Sequence, residues 1–448
     1  MRQVIILAMF MAAEMCAASD WPQVQNGPRH HGYTKDFAAP PYKRLWQKHF
    51  GYERIGRCAG VVIADGKVFI GTKHGVMRAL NLENGDELWS FQTRGPILHT
   101  AAVTDDNVIF ASLDGRLYAV GAEDGKEKWT FDSGFGFSNA PLIADGFVLI
   151  GNRQGNFFCV NAADGGEVWR KDLGAPIFQT AAANDSKVYV GSEDMYMHAL
   201  NIADGSEVWK SDKLQGQSFK DYWPVVYKGY VIVRPMVVAI EWLKSRDVPP
   251  FGWNTDADLL KDAMISYPEG RELPKPFMDA QDKLVKYFTE NPEYGDIYFL
   301  NESDGKVGFV SPLIHASTLG GAVPPPSVMK NGLLAVPMMA DQCRWGAFDI
   351  EKQRIVDIWP HKQGNNDETH VSTSTGPVVL IMHCREGWAT GAFDTRTRKR
   401  FDMPRGGPRS PFCDNMVNGA SPAAVSGDTV VHIACSTVRA WKGQGGEK

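Results

Sequence analysis

Short apolar runs alternate with polar turns along most of this chain, and over its first half they recur every forty residues. The unit around Trp89 shows the pattern. CAGVVIAD is followed by a turn at Asp65-Gly66, then KVFIG, a turn at His74-Gly75, VMRALNL, a turn at Asn84-Gly85, and DELWSF. Val and Ile are favoured on a pleated surface. Asn-Gly and Asp-Gly between apolar runs mark hairpins, because glycine takes positive φ without steric cost. Each unit therefore predicts four short antiparallel strands, A to D. Trp89, Trp129, Trp169 and Trp209 end four successive phrases: ALNLENGDELW, AVGAEDGKEKW, CVNAADGGEVW and ALNIADGSEVW. A fixed period of this size marks units that bury their apolar faces only by stacking. Each Trp is read as packing against the next unit, and none is assigned chemistry.

The start of strand B recurs near Gly66, Asp106, Gly146, Ser186, Gly229, Gly332, Pro377 and Gly427. This predicts an all-β fold, an eight-bladed β-propeller of four-stranded antiparallel blades; seven is the count if PVVLIMHC and GAFDTRTRKRF do not form a unit. The last unit, AAVSGDTVVHIACSTVRAW, lacks a strand D, and YKRLWQKHF near the N-terminus supplies one, with Trp46 in the Trp position. The N-terminal strand is thus expected to close the ring, which leaves only short, protected edges. Unit five is split, so the propeller is read as 20–236 and 296–448, interrupted by an insertion at 237–295. Thr255 or Asp256 caps a first helix there. Pro276 opens a second, with Phe277, Leu284, Val285 and Phe288 on one face. The insertion also carries Trp242, Phe251 and Trp253. The expectation is a helical lid over the loop-bearing face, since long inserts in compact domains are usually functional or disordered.

Composition narrows the setting. Net charge is −5 without a basic patch, which argues against nucleic acid. Residues 1–19, MRQVIILAMFMAAEMCAAS, read as a signal peptide cleaved near Ala18 or Ser19. That stretch is too short to span a membrane, and no later one is apolar enough. The expected location is periplasmic or secreted. Removing the leader leaves Cys58, Cys159, Cys343, Cys384, Cys413 and Cys435. Their pairing stays open between Cys343 with Cys384, Cys413 with Cys435, and buried free thiols. No CxxCH or CxxC occurs, so neither covalent haem nor a structural zinc site is expected.

The phrase A-[LV]-[NG]-x-x-[DN]-G-x-x-x-W resembles the tryptophan-docking repeat of pyrroloquinoline-quinone-type propellers. Asp20-Trp21-Pro22, Asn26-Gly27-Pro28 and Gly32-Tyr33 are similar to the opening of exported members. That family includes quinoprotein alcohol and sugar dehydrogenases and a non-enzymatic outer-membrane assembly lipoprotein. Many of the dehydrogenases carry two adjacent cysteines over the quinone, and this chain has none. Ala13-Glu14-Met15 is likewise a poor lipobox before Cys16.

Aligned entries to strand A form a column: Ala59, His99, Asn139, Gln179, Tyr222, Pro325, His370 and Ala420. Polar, planar side chains there suit a ring of hydrogen bonds around a ligand, or a wet channel rim. If the resemblance extends to the quinone, Trp223 offers a stacking surface and Lys220 a partner for its carboxylates. Asn139, Gln179 and Tyr222 complete that candidate cofactor set. Asn139, Asp221 or Glu368 supplies oxygens to Ca²⁺, and Asp221 or Glu368 acts as base. His99, Tyr222, His315 and His370 are the alternative set for proton transfer on a polysaccharide. No catalytic signature is complete. The first expectation is therefore a binding or scaffold propeller that takes a protein or glycan under the lid. A quinone-dependent alcohol or sugar dehydrogenase is the second, and a polysaccharide-active enzyme the third.

Overall fold

Apolar residues on strands B and C of each unit are buried almost without exception, so every blade is covered on both faces by its neighbours. The computed structural model describes residues 19–56, 59–220, 222–235, 270–292, 295, 297–313, 324–339, 344–360, 370–383, 391–403, 421–434 and 436–444. They form eight antiparallel sheets of four strands each, the seventh with one added strand. The predicted count of eight blades is correct. So is the closure: Tyr42–His49 pairs with Thr437–Gly443 and completes the sheet of the last blade. Blade five is built from Val225–Tyr227 and Tyr230–Val233 before the insertion and Tyr298–Asn301 and Val307–Val310 after it.

The contact between blades repeats as closely as the sequence does. A β-bulge at the start of strand D turns each Trp toward the next blade. The indole N–H then donates to a backbone carbonyl there: Trp46 to Leu82 (2.8 Å), Trp89 to Ala122 (3.0 Å), Trp129 to Ala162 (3.1 Å), Trp169 to Ile202 (2.7 Å) and Trp209 to Glu302 (3.1 Å). The ring lies flat on the glycine of the following C–D turn. A Cβ at Gly165, for example, would sit 2.7 Å from the Trp129 ring. That glycine also has φ +75°, a left-handed conformation that disfavours any side chain. The B–C turns, where Gly75, Gly115 and Gly155 also take positive φ, have one departure. Met195 replaces glycine in the B–C turn of blade four and still adopts φ +71°. Phe309 takes the Trp position in blade five and stacks toward Phe348 of blade six at 6.3 Å.

The described helix of the insertion lies elsewhere than a lid would put it. This helix, Lys275–Glu290, buries Phe277, Leu284, Val285 and Phe288 as the pattern required. It does not cover the channel face. It packs on the outer edge, against strands D of blades five and six, Val307–Val310 and Arg354–Ile358. The Gln281 amide donates to the Ile355 carbonyl (3.2 Å) and accepts from the Ile355 N–H (2.7 Å), as a neighbouring strand would. Gly270 makes the same reciprocal pair with Ile358. The helix therefore satisfies an edge strand. Trp242, Phe251, Trp253 and the first predicted helix lie outside the described residues, as do all cysteines except Cys159. Cys159 is a free buried thiol whose burial pushes its pKa up to about 12.

Gly165→Ala should cost clearly more than Gly146→Ala in denaturant unfolding. Both glycines have positive φ, at +75° and +77°, but a Cβ at Gly146 meets nothing within 4 Å. The difference isolates the indole contact and is expected at about 1–3 kcal/mol, the usual cost of overpacking. Equal losses would mean that the ring simply moves aside.

Candidate functional site

Strand A is the innermost strand of each blade, so alternate N–H groups point into the central channel with no sheet partner. A buried unpaired N–H costs about 1–3 kcal/mol. Residues 21–32 remove that cost blade by blade. Ile63, Val103, Ile143, Ala183, Val226, Val328 and Ser374 hold one equivalent position, opposite Val68, Val108, Val148, Val188, Val231, Leu334 and Val379 of strand B. Their N–H groups donate in order to the Trp21 carbonyl, the Pro22 carbonyl, Gln23 Oε1, and the carbonyls of Pro28, Arg29, His31 and Gly32, at 2.7–3.0 Å. Gln23 Nε2 also returns a bond to the Ile143 carbonyl at 3.2 Å. Tyr33–Thr34 then pairs in parallel with strand A of blade seven. Asp36 Oδ2 accepts from Gly427 N in blade eight at 2.5 Å. The segment thus makes one circuit and floors the channel at the end nearest the A–B turns.

Its composition suits the task. Pro22 and Pro28 present carbonyls and have no N–H of their own to satisfy. Gln25, Asn26 and His30 take φ of 51°, 61° and 56°, which lets the chain curve inside the ring. Gly32 has φ +59°, and a Cβ there would strike Gln25 Oε1. His30 is buried, with Nδ1 placed 3.0 Å from the Pro224 carbonyl, so the hydrogen is assigned to Nδ1. Its ring meets Trp223 edge-on at 6.2 Å. Burial, chiefly, lowers its pKa to about 3, and neutral His30 belongs to the packing.

The candidate ring around a ligand does not form from its described members. Asn139 Nδ2 donates to the Gly151 and Ile177 carbonyls, both at 3.0 Å, and Gln179 Oε1 accepts from Gly191 N at 2.6 Å. Both amides turn toward neighbouring backbone, at 1% exposure each. Tyr222 is buried, and its carbonyl accepts from Thr180 N at 3.0 Å. Trp223 belongs to the core shared by blades four to six, with 5% exposure, so its face does not form an open stacking platform. Lys220 is exposed and His99 half-buried on the D–A loops. Asp221, Glu368 and His315 lie outside the described residues, and of His370 only the backbone pairing with His383 is described. Asn139 Oδ1 and Gln179 Nε2 are buried without a hydrogen-bond partner, and no group of three or more metal-ligating side chains occurs among the described residues.

The opposite end of the channel is the mouth, formed by the D–A and B–C loops. Large apolar side chains are exposed there at Tyr52 (77%) and Phe135 (48%). Nearby, the Arg153 guanidinium lies 5.7 Å over the Phe178 ring. Tyr52, Phe135 and Phe178 belong to no repeat phrase or motif in the sequence. Glycine-bounded loops that place an aromatic between two blades were the available signal.

Comparison with known proteins agrees with this architecture. The family described as outer membrane protein assembly factor BamB matches residues 32–139 and 132–235. The crystal structure of BamB from Moraxella catarrhalis superposes with a TM-score of 0.56 at 11% identity, covering 90% of this chain and 100% of that one. Quinohemoprotein alcohol dehydrogenase from Comamonas testosteroni gives a TM-score of 0.61 at 14% identity, covering 96% and 81%. A computationally designed protein, Ika8, gives 0.61 at 12% identity, covering 89% and 99%. No curated protein matches significantly. Identities this low establish the fold alone. The fold is that of a β-propeller, and over residues 32–235 the chain is similar to the family that its repeat phrase resembles.

Two buried imidazoles give this propeller an acid sensitivity. His30 and His432 both fall from 6.5 to about 3, through burial and, for His432, the adjacent Arg439 charge. A base depressed in the folded state contributes stability that is complete above the unfolded value of 6.5 and is lost as pH falls toward 3. Between pH 6 and 4 each should cost about 1.4 kcal/mol per pH unit. Urea unfolding across that range should show the slope, and His432→Phe should reduce it by about one proton. An unchanged slope would place His432 in contact with water.

Proposed function

We propose that this protein is an exported scaffold propeller that docks a protein partner on its mouth face. The observation that carries the reading is the pairing of exposed Tyr52 and Phe135 with the Arg153–Phe178 contact on the loops around the mouth. Aromatic residues and Arg are the side chains that most often dominate protein–protein interfaces. The inner segment adds to this, because residues 21–32 line the end of the ring nearest the A–B turns and leave the exposed aromatics on the opposite loops. The similarity to the assembly-factor family over residues 32–235 supports a partner that is a protein. The leader-like residues 1–19 support the periplasm or the cell exterior as its place. No helix among the described residues is long and apolar enough to cross a membrane.

No catalytic step through a quinone is derived: Asn139 Nδ2 and Gln179 Oε1 are bonded to backbone, and Trp223 is enclosed. A photo-crosslinker placed at Tyr52 or Phe135 in living cells should capture one and the same protein, while one at Leu88 on the rim should not. The double substitution Tyr52→Ala, Phe135→Ala should weaken binding to that protein about tenfold or more, the scale of a lost hot spot, without altering thermal unfolding. Saturable binding of pyrroloquinoline quinone with Ca²⁺, dye reduction by alcohols and no shared crosslink would reverse the reading.

A further inference from the structure

The floor segment returns to its own start. It leaves blade one at Trp21, where Asp20 Oδ1 accepts from Asp65 N at 3.2 Å. It circles the channel and reaches blade eight at Asp36, whose Oδ2 accepts from Gly427 N. There the two ends meet. Ser19 N lies 2.9 Å from the same Asp36 Oδ2, and Ser19 Oγ lies 3.1 Å from Thr34 Oγ1. The inner circuit is therefore closed at the seam between the first and last blades by one carboxylate. Asp36 is held for this role: its own N–H donates to Thr34 Oγ1 at 3.1 Å, and its carbonyl accepts from Thr375 Oγ1 at 2.5 Å.

Ser19 follows Cys16-Ala17-Ala18, which places small residues at the first and third positions before the Ala18–Ser19 bond, as signal peptidases require. We propose that the Ala18–Ser19 bond is the processing site, and that the α-ammonium released on Ser19 is captured by Asp36. This rests on the reading of the chain as exported. In the hydrolysis, water adds to the Ala18 carbonyl, the C–N bond breaks, Ala18 leaves as a carboxylate, and the Ser19 amine takes up a proton. Before cleavage, Ser19 offers Asp36 a single neutral amide N–H. Afterwards it offers a full positive charge and three donors at the same place, and charge-assisted bonds are the stronger kind. An α-amino group loses its proton near about 8, and a carboxylate beside it holds that proton to higher pH. The pair is thus complete below that pH and lost above it. Removal of the leader and locking of the floor become one event.

Four forms test this: protein exported by the native host, protein released from a cleavable tag to begin at Ser19, the same with one added Gly before Ser19, and the Ser19 form carrying Asp36→Asn. The intact mass of exported protein should correspond to a chain that begins at Ser19. A different start, or a retained leader, overturns the processing site and leaves the mouth-face reading to its own crosslinking test. The α-amine of the Ser19 form should react with an acylating reagent at pH 8 about three- to fivefold more slowly than that of Asp36→Asn or of the Gly-extended form, the scale of a partly exposed ion pair. Equal rates in all three overturn the capture, whatever the start proves to be. The Gly-extended form keeps Asp36 intact, so the comparison survives if Asp36→Asn folds poorly.

Discussion

Everything in this molecule depends on satisfying the inner edges of its blades. A ring of sheets has no outer neighbour problem between blades, because each face packs on the next. Yet each strand A still points unpaired N–H groups at the channel, and such groups are costly when shielded from water. Seven equivalent donors, from Ile63 to Ser374, meet seven acceptors on residues 21–32 in the order of the blades. One short segment without regular structure thus ties the first blade to the seventh, and Asp36 carries the tie to the eighth. The strand that follows, Tyr42–His49, completes the last sheet from the same end of the chain. Ring closure is in this sense double, through an inner circuit of acceptors and an outer strand.

The outer edges meet the same constraint in a different way. In blade six, Gln281 and Gly270 supply the missing partners of Ile355 and Ile358 from the insertion. In blades one to four the strand-D residues flanking the buried Trp are mostly exposed and polar or charged, with bulges where strand D begins, which discourages edge pairing. The Trp–glycine contacts then set the spacing between blades. The exposed aromatics Tyr52 and Phe135 fall on the D–A loops, where change costs the ring least.

Much of this was legible in the chain. The forty-residue period, the turn glycines and the alternation of apolar positions define strands whose burial admits only one stacking. The N-terminal strand D was legible because Trp46 repeats a phrase that the last unit lacks. The site was less so. Asn139 and Gln179 were placed correctly on the entries to strand A, but a planar amide serves a ligand or a backbone group equally well, and only three-dimensional neighbours decide. WPQVQNGPRHHGY has no period to read, and its positive-φ residues are Gln25, Asn26 and His30 rather than glycines. The helix of the insertion was legible from its apolar face. Its destination was not, since that face fits a rim as well as a mouth.

The most direct measurement of the central claim is native-state hydrogen exchange at the seven inward amides of strand A. If residues 21–32 are the common acceptor strip, the amides of Ile63, Val103, Ile143, Ala183, Val226, Val328 and Ser374 should exchange as slowly as those of strand B. They should also open together as one unit. Fast or independent exchange at these positions, with strand B still protected, would mean that water rather than the segment satisfies the inner edges.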